Sequence, residues 1–219
     1  MTLRASSAQP SAEVERTRRL YHRVAPLYDG FRILWSRWTR PAEQALDDLF
    51  RERIHSGVRI LELAPGTGIN VERLLRCASG FESYLGIDSS EEMLARARKK
   101  AHGDARIELR TGDATDLRAV AESFDFVVCT WLLSHLDAPA DTVRAALSKL
   151  SPAGTAAFVF FTKPTDALLR RVLERLGGPL RYRFVDTEPI QRLPNLERFE
   201  SCAAGMATLA VFRAPAAPT

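Results

Sequence analysis

The 219-residue chain is predicted to form a doubly wound α/β fold, a mostly parallel seven-stranded sheet with an antiparallel C-terminal hairpin. Three observations predict it. From Val58 onward, short β-rich runs alternate with helical stretches. Regular alternation means a parallel sheet, and right-handed crossovers place helices on both of its faces. Near the end, the strand-like runs Leu196–Ala203 and Met206–Phe212 are separated by little more than Ala204-Gly205. Two residues cannot make a parallel crossover, so these runs form a hairpin. From Glu13 to Ile54 the apolar period is helical.

Residues 1–12 are small and polar, and 214–219 read APAAPT; both are expected to be flexible ends. Between them lie a helical segment, 13–55, and an α/β domain, 56–213. In the first, Leu20, Tyr21, Val24, Leu27, Tyr28 and Phe31 recur at three- and four-residue steps, with an interruption at Pro26. Phe31, Leu34, Trp35 and Trp38 continue one stripe. Pro41 can start another helix, with Ala42, Ala45, Leu46, Leu49 and Phe50 as its apolar face. In the α/β domain, strands are expected at Val58–Leu63, Ser83–Ile87, Arg106–Arg110, Phe124–Thr130 and Thr155–Phe161. Helices follow at Asn70–Cys77, Glu91–Ala101, Thr142–Leu150 and Asp166–Leu176, with a short one near Leu117–Ala121.

At 46% hydrophobic and 26% charged, the composition excludes a disordered, collagenous or coiled-coil chain. No apolar run approaches the roughly 18 residues of a membrane span. The first residues carry no apolar stretch of the signal-peptide kind. Cys77, Cys129 and Cys202 are far apart and odd in number, which argues against a disulfide framework or zinc site and for a reducing, cytoplasmic setting. The net charge of +4 is unevenly placed. Residues 16–40 hold seven Arg and one Asp, and residues 163–183 hold six Lys/Arg and two acids, so two basic segments sit on an acidic body.

The stretch that carries chemistry is ILELAPGTGINVERLL, residues 60–75. A strand runs through Ala64-Pro65-Gly66-Thr67-Gly68 directly into a helix. Glycines in such a turn let backbone approach a ligand, and free N–H groups at the helix start favour an anion or carboxylate. An acid inside the apolar strand, Glu62, is costly unless it is paired or used. Asp88 ends the second strand, twenty residues after Gly68. It is placed to accept from both hydroxyls of a ribose, or to cap the next helix. A dinucleotide-binding turn would carry a third glycine for close helix packing, and Val71 stands there instead.

In this order, ELAPGTG, GIDSSEEMLARARKK, GDATDL and FDFVVCTWLLSHLDAP resemble the class I S-adenosylmethionine-dependent methyltransferases over about residues 20–213. The resemblance implies the Rossmann-like methyltransferase sheet with an antiparallel last strand. It implies that Glu62, Ala64, Gly66, Thr67 and Gly68 line the methionine side of S-adenosylmethionine. Asp88 would hold the ribose, with Ser89 and Met93 beside the adenosine. Asp113 and Ala114 would contact the adenine, and Thr130 and Trp131 would flank the sulfonium and the acceptor. The start, YHRVAPLYDGF, looks like the lid of methyltransferases acting on quinones, phospholipids and small metabolites, so 13–55 is read as a helical lid and Tyr28 as closing over the cofactor. Pro65 departs from the Gly or Cys of many relatives and removes one amide from the loop.

His135 follows the fourth strand at the sheet's carboxyl edge. It is a candidate general base with a pKa near working pH, or a residue that packs a turn. Tyr21 in the lid is the other catalytic candidate. Thr130-Trp131-Leu132-Leu133 replaces the tetrapeptide that marks exocyclic-amine methylation in this family, which argues against nucleobases. No metal site and no nucleic-acid partner are expected. The expected acceptor is small or lipid-like, and the basic segments suit an anionic one or peripheral contact with a membrane. The readings of another class are a non-catalytic binder of the same cofactor and a nicotinamide oxidoreductase.

Overall fold

The computed structural model describes residues 39–164, 166–167, 170–171, 183–202 and 205–216. In them seven strands join into one sheet. They are β1 (Arg59–Leu63), β2 (Ser83–Asp88), β3 (Ile107–Thr111), β4 (Phe124–Thr130), β5 (Leu150–Phe161), β6 (Leu196–Cys202) and β7 (Ala207–Arg213). Their order across the sheet is β3-β2-β1-β4-β5-β7-β6. The first five are parallel, and β7 runs antiparallel to both β5 and β6. β1 and β4, at the centre, are buried along nearly their whole length, which is why they read as apolar runs rather than alternating ones.

Helices cover both faces. On one lie α1, helical from 39 to 53, and α2 (Ile69–Cys77). Ala42, Leu46, Leu49 and Phe50 of α1 and Val71 and Leu74 of α2 pack on Ile60, Phe126, Val128 and Leu209. Phe50 meets Phe126 edge-on, with ring centroids 5.3 Å apart. On the other face, Val143 and Ala146 of α4 (Pro139–Leu147) and Ile190 of a one-turn helix pack on Leu61, Leu63, Val127 and Phe158. α3 (Glu91–Lys100) lies beside α2 and buries Met93, Leu94 and Ala97.

Several expectations differ from the structure: β5 already begins at Leu150 rather than Thr155, so the end of the helix expected to reach Leu150 is strand. No helix forms near Leu117–Ala121, where the chain makes turns instead. Asp113 Oδ1 accepts from the Thr115 amide at 2.8 Å and Asp116 Oδ1 from the Arg118 amide at 3.2 Å, so side chains take backbone donors that a helix start would leave to its own caps. α4 begins at Pro139 rather than Thr142, because proline at a first helical position loses no hydrogen bond. The helix expected from Pro41 is already in progress at Thr39. Residues 13–38 of the expected lid, most of the expected helix Asp166–Leu176, and residues 203–204 of the hairpin lie outside the described residues. Among the described residues no helix is long and apolar enough to cross a membrane.

Candidate active site

The strand order reverses between β1 and β4, and crossovers leave these two strands on opposite sides. That opens a crevice at their carboxyl ends. Register sets what meets there. Leu63 pairs with Ile87 and with Cys129, so Ala64, Asp88 and Thr130 stand level in one row. Asp88 in turn pairs with Thr111, which places the loop carrying Asp113 and Ala114 alongside. The loops after β3, β2, β1 and β4 are therefore neighbours.

In the β1 loop, Ala64, Gly66 and Gly68 all have left-handed backbone, with φ of 54°, 56° and 81°. A Cβ built on Gly66 meets nothing within 4 Å, so its backbone faces open space. A Cβ on Gly68 would lie 2.7 Å from Ala97 Cα, so Gly68 is where α2 and α3 approach closely. The tight packing that Val71 rules out at the third glycine position is thus supplied one turn earlier. Pro65 loses an amide but its carbonyl accepts from Gly68 N at 2.9 Å, closing the turn. Gly68 is the N-cap of α2 and no side chain caps that helix, so its first N–H groups stay available. Thr67 is buried beneath them.

The acids are all held. Asp88 accepts from Gly66 N at 3.0 Å through Oδ2 and from Ser90 N at 2.9 Å through Oδ1, tying the glycine loop to the end of β2. Burial raises its pKa, and the amides of Ser90, Gly66 and Ser89 oppose that rise. The helix cap is Ser90, not Asp88: its hydroxyl accepts from Met93 N at 3.3 Å. Asp113 Oδ1 is held by the amide and hydroxyl of Thr115, and Ala114 is buried behind it. Glu62 is 1% exposed and accepts from Asn70 Nδ2 at 2.7 Å and from the Tyr84 hydroxyl. Burial pushes its pKa up to about 7, against the pull of those two bonds.

At the end of β4, Trp131 takes a left-handed φ of 67°. Its ring lies 4.6 Å, centroid to centroid, from that of Phe161 at the end of β5. The chain then makes a 3-10 turn, Leu132–His135. Ser134, fully buried, accepts from Phe161 N at 2.9 Å, and its carbonyl accepts from Arg183 N at 2.9 Å. His135 is buried, and burial lowers its pKa to about 4. The expectation of a pKa near working pH is corrected by that burial: the ring is neutral at physiological pH.

The structure thus brings Ala64, Gly66, Thr67, Gly68, Asp88, Ser89, Met93, Asp113, Ala114, Thr130 and Trp131 to one edge, with Glu62 beneath it and His135 in the turn below Trp131. Tyr21 and Tyr28 lie outside the described residues. Sequence reasoning missed Asn70, Tyr84 and Phe161. Asn70 had a signal, since it and Arg73 are polar residues three apart on the buried face of α2. It also missed Gly86, where a Cβ would stand 2.8 Å from Leu109 Cδ2 and 3.0 Å from Pro65 Cγ.

A family model described as a methyltransferase domain matches residues 60–154. The demethylmenaquinone methyltransferase of Clavibacter sepedonicus is 37% identical over 116 residues, 53% of this chain and 46% of that protein, so this alignment spans about half of the relative's length. The ubiquinone/menaquinone biosynthesis C-methyltransferase UbiE of Geobacter sulfurreducens is 26% identical over 212 residues, covering 88% of this chain and 80% of that protein. Among solved structures, the [4+2]-cyclase SpnF superimposes with a TM-score of 0.71 at 17% identity, over 96% of this chain and 100% of that one, a likeness of fold alone. Strand order, glycine loop and domain match converge: the chain is similar to the class I S-adenosylmethionine-dependent methyltransferases, and residues 60–154 match their domain model.

Proposed function

We propose that this protein transfers the methyl group of S-adenosylmethionine to a small, planar, amphiphilic acceptor held against Trp131 and Phe161. The observation that carries the acceptor reading is this aromatic pair, at the ends of the two strands next to the cofactor loops. Relatives that bear quinone methyltransferase names support it.

The residues present suit the cofactor. The open backbone at Gly66 and the uncapped start of α2 accommodate a carboxylate. Asp88, with both oxygens already oriented by amides, retains lone pairs for ribose hydroxyls. Ser89 and Met93 follow it on the adenosine side, and Asp113 with Ala114 suits the adenine. Glu62 and Thr130 stand at the methionine end, between the glycine loop and β4. When bound, S-adenosylmethionine supplies a methyl group on a cationic sulfur, so the protein provides no electrophile of its own. Its tasks are alignment of the acceptor and exclusion of water. Trp131 and Phe161 do both for a flat apolar molecule. His135, neutral, is the candidate to receive the proton the acceptor releases, and Tyr21 is the candidate on the lid side.

The test is calorimetry with S-adenosylhomocysteine, followed by methyl transfer from radiolabelled S-adenosylmethionine to a short-chain demethylated naphthoquinone. Saturable binding with label in the quinone is the expected result. Binding without transfer to any planar acceptor would favour the non-catalytic reading, and absence of binding at millimolar ligand would overturn the proposal.

A further inference from the structure

Behind the crevice runs a chain of buried polar groups whose centre is Asn70. This residue lies in the first turn of α2 and is 3% exposed. Its Nδ2 donates to Glu62 Oε1 at 2.7 Å and to Thr130 Oγ1 at 3.1 Å. Its Oδ1 accepts from Arg73. Arg73, itself buried, gives Nε to Asp47 Oδ1 at 2.5 Å and its other amino group to Glu43, both on α1. Both amide hydrogens of Asn70 are therefore committed to β1 and β4, the two strands that frame the crevice.

The orientation of that amide is dictated by its partners. A guanidinium only donates, so Asn70 Oδ1 must face Arg73 and its Nδ2 must face Glu62 Oε1. Flipping the amide would set its N–H groups against the N–H groups of the buried Arg73 guanidinium, donor against donor. Thr130 Oγ1 takes the second amide hydrogen as an acceptor, so its own proton is left to be donated elsewhere. Thr130 is the last residue of β4 and only partly buried, level with Ala64 and Asp88.

We propose that Asn70 is a positioning residue for methyl transfer: it clamps Glu62 and turns the Thr130 hydroxyl into a donor toward the methionine end of the cofactor, with α1 locking the amide through Glu43, Asp47 and Arg73. This inference rests on the methyltransferase reading of the crevice. An apolar side chain would fill the same space on the buried face of α2 at lower desolvation cost, so burial alone does not account for Asn70. The groups facing Glu62 are Asn70 and Arg73 on α2, Tyr84 and Asp88 on β2 and Cys129 on β4. Of these, Tyr84 and Asn70 bond it directly, and Asn70 alone bonds Thr130 as well.

The experiment measures S-adenosylhomocysteine affinity by calorimetry from pH 6 to 9, alongside melting temperature. The variants are Asn70→Leu, Thr130→Val, Thr130→Ser, the double variant Asn70→Leu/Thr130→Val, and Leu74→Ala as a match for loss of stability. Asn70→Leu and Thr130→Val should each weaken binding about 10- to 100-fold, the range expected when a charge-linked buried hydrogen bond is lost. Thr130→Ser, which keeps the hydroxyl, should bind within about twofold of wild type, and the double variant should bind little worse than Asn70→Leu, because both act on one contact. Any acid limb of the binding profile should move to higher pH in Asn70→Leu, since Glu62 loses a donor to its ionised form. Leu74→Ala should lower the melting temperature and leave affinity unchanged. Affinity in Asn70→Leu and Thr130→Val within twofold of wild type, or losses that add fully in the double variant, would overturn the inference while leaving the methyltransferase reading intact. If Asn70→Leu does not fold, the contrast between Thr130→Val and Thr130→Ser decides. Failure of wild type to bind would sink that reading and the inference with it.

Discussion

Along the edge formed by β3, β2 and β1, Asp113 is bound to Thr115, Asp88 to the amides of Gly66 and Ser90, and Glu62 to Asn70 and Tyr84. Across the reversal point, at β4 and β5, the same edge presents the partly exposed Trp131, backed by the buried Phe161, with a buried, neutral His135 in the following turn. One half is specified by directed hydrogen bonds and the other by shape. Sites built from hydrogen bonds reject imperfect ligands by large factors, whereas apolar walls discriminate by little. Under the proposed function, the polar half suits one unvarying cofactor and the aromatic half acceptors that can differ in detail.

The largest effect that tests this contrast is in pH. Glu62 has its pKa raised from 4.5 to about 7, so the folded protein holds a proton the unfolded chain has released. The stability it contributes is complete below about 4.5 and is lost as pH rises through 7. His135 has its pKa lowered from 6.5 to about 4, so it contributes the opposite slope, stability lost as pH falls from 6.5 through 4. Each shift is worth on the order of 3 kcal/mol, and the two oppose each other over their shared range. Urea unfolding of Glu62→Gln should show stability rising with pH between 4.5 and 6.5, and His135→Gln should show it falling. Parallel slopes in the two variants would break the contrast.

Next in size is Trp131→Ala. Loss of one stacking face costs about 1–2 kcal/mol, so the acceptor KM should rise about tenfold while S-adenosylhomocysteine affinity changes less than twofold. Equal losses in both would show that the halves are not separable.

The smallest effect is at Ala64, where a Cβ residue is held at φ 54°. Ala64→Gly should raise the unfolding free energy by about 0.5–1 kcal/mol, relief of left-handed strain outweighing the extra entropy of glycine. A decrease would mean that the methyl group packs well enough to offset the strain.

Much of this was legible before any coordinates. β4 was read with its observed bounds because Phe124–Thr130 is a β-rich run interrupted only by Asp125 before its terminal Thr130. The hairpin followed from a connection too short for a crossover. The failures have local causes. Leu117–Ala121 has helix-forming residues, but the aspartates at 113 and 116 capture the nearby amides. α4 begins three residues before the expected start, with Pro139 in its first turn. At the site, Glu62 and Asp88 stood out as acids among apolar residues, but their partners did not. Tyr84 lies 22 residues from Glu62, and Thr130 lies 60 from Asn70. Contacts of that separation are set by strand order, which no local pattern encodes. The pKa of His135 was unreadable for the same reason, since it depends on what covers the turn.

The hairpin has a bearing on biosynthesis. β7 is made after β6 yet is inserted between β6 and β5. While the ribosome is still producing β6, the flank of β5 carrying Phe158, Val159, Phe160 and Phe161 has no neighbour on that side. A chain halted before Ala207 therefore carries a long apolar strand with an open edge, a template for aggregation and a mark for quality-control proteases. Insertion of β7 pairs that edge and removes the template.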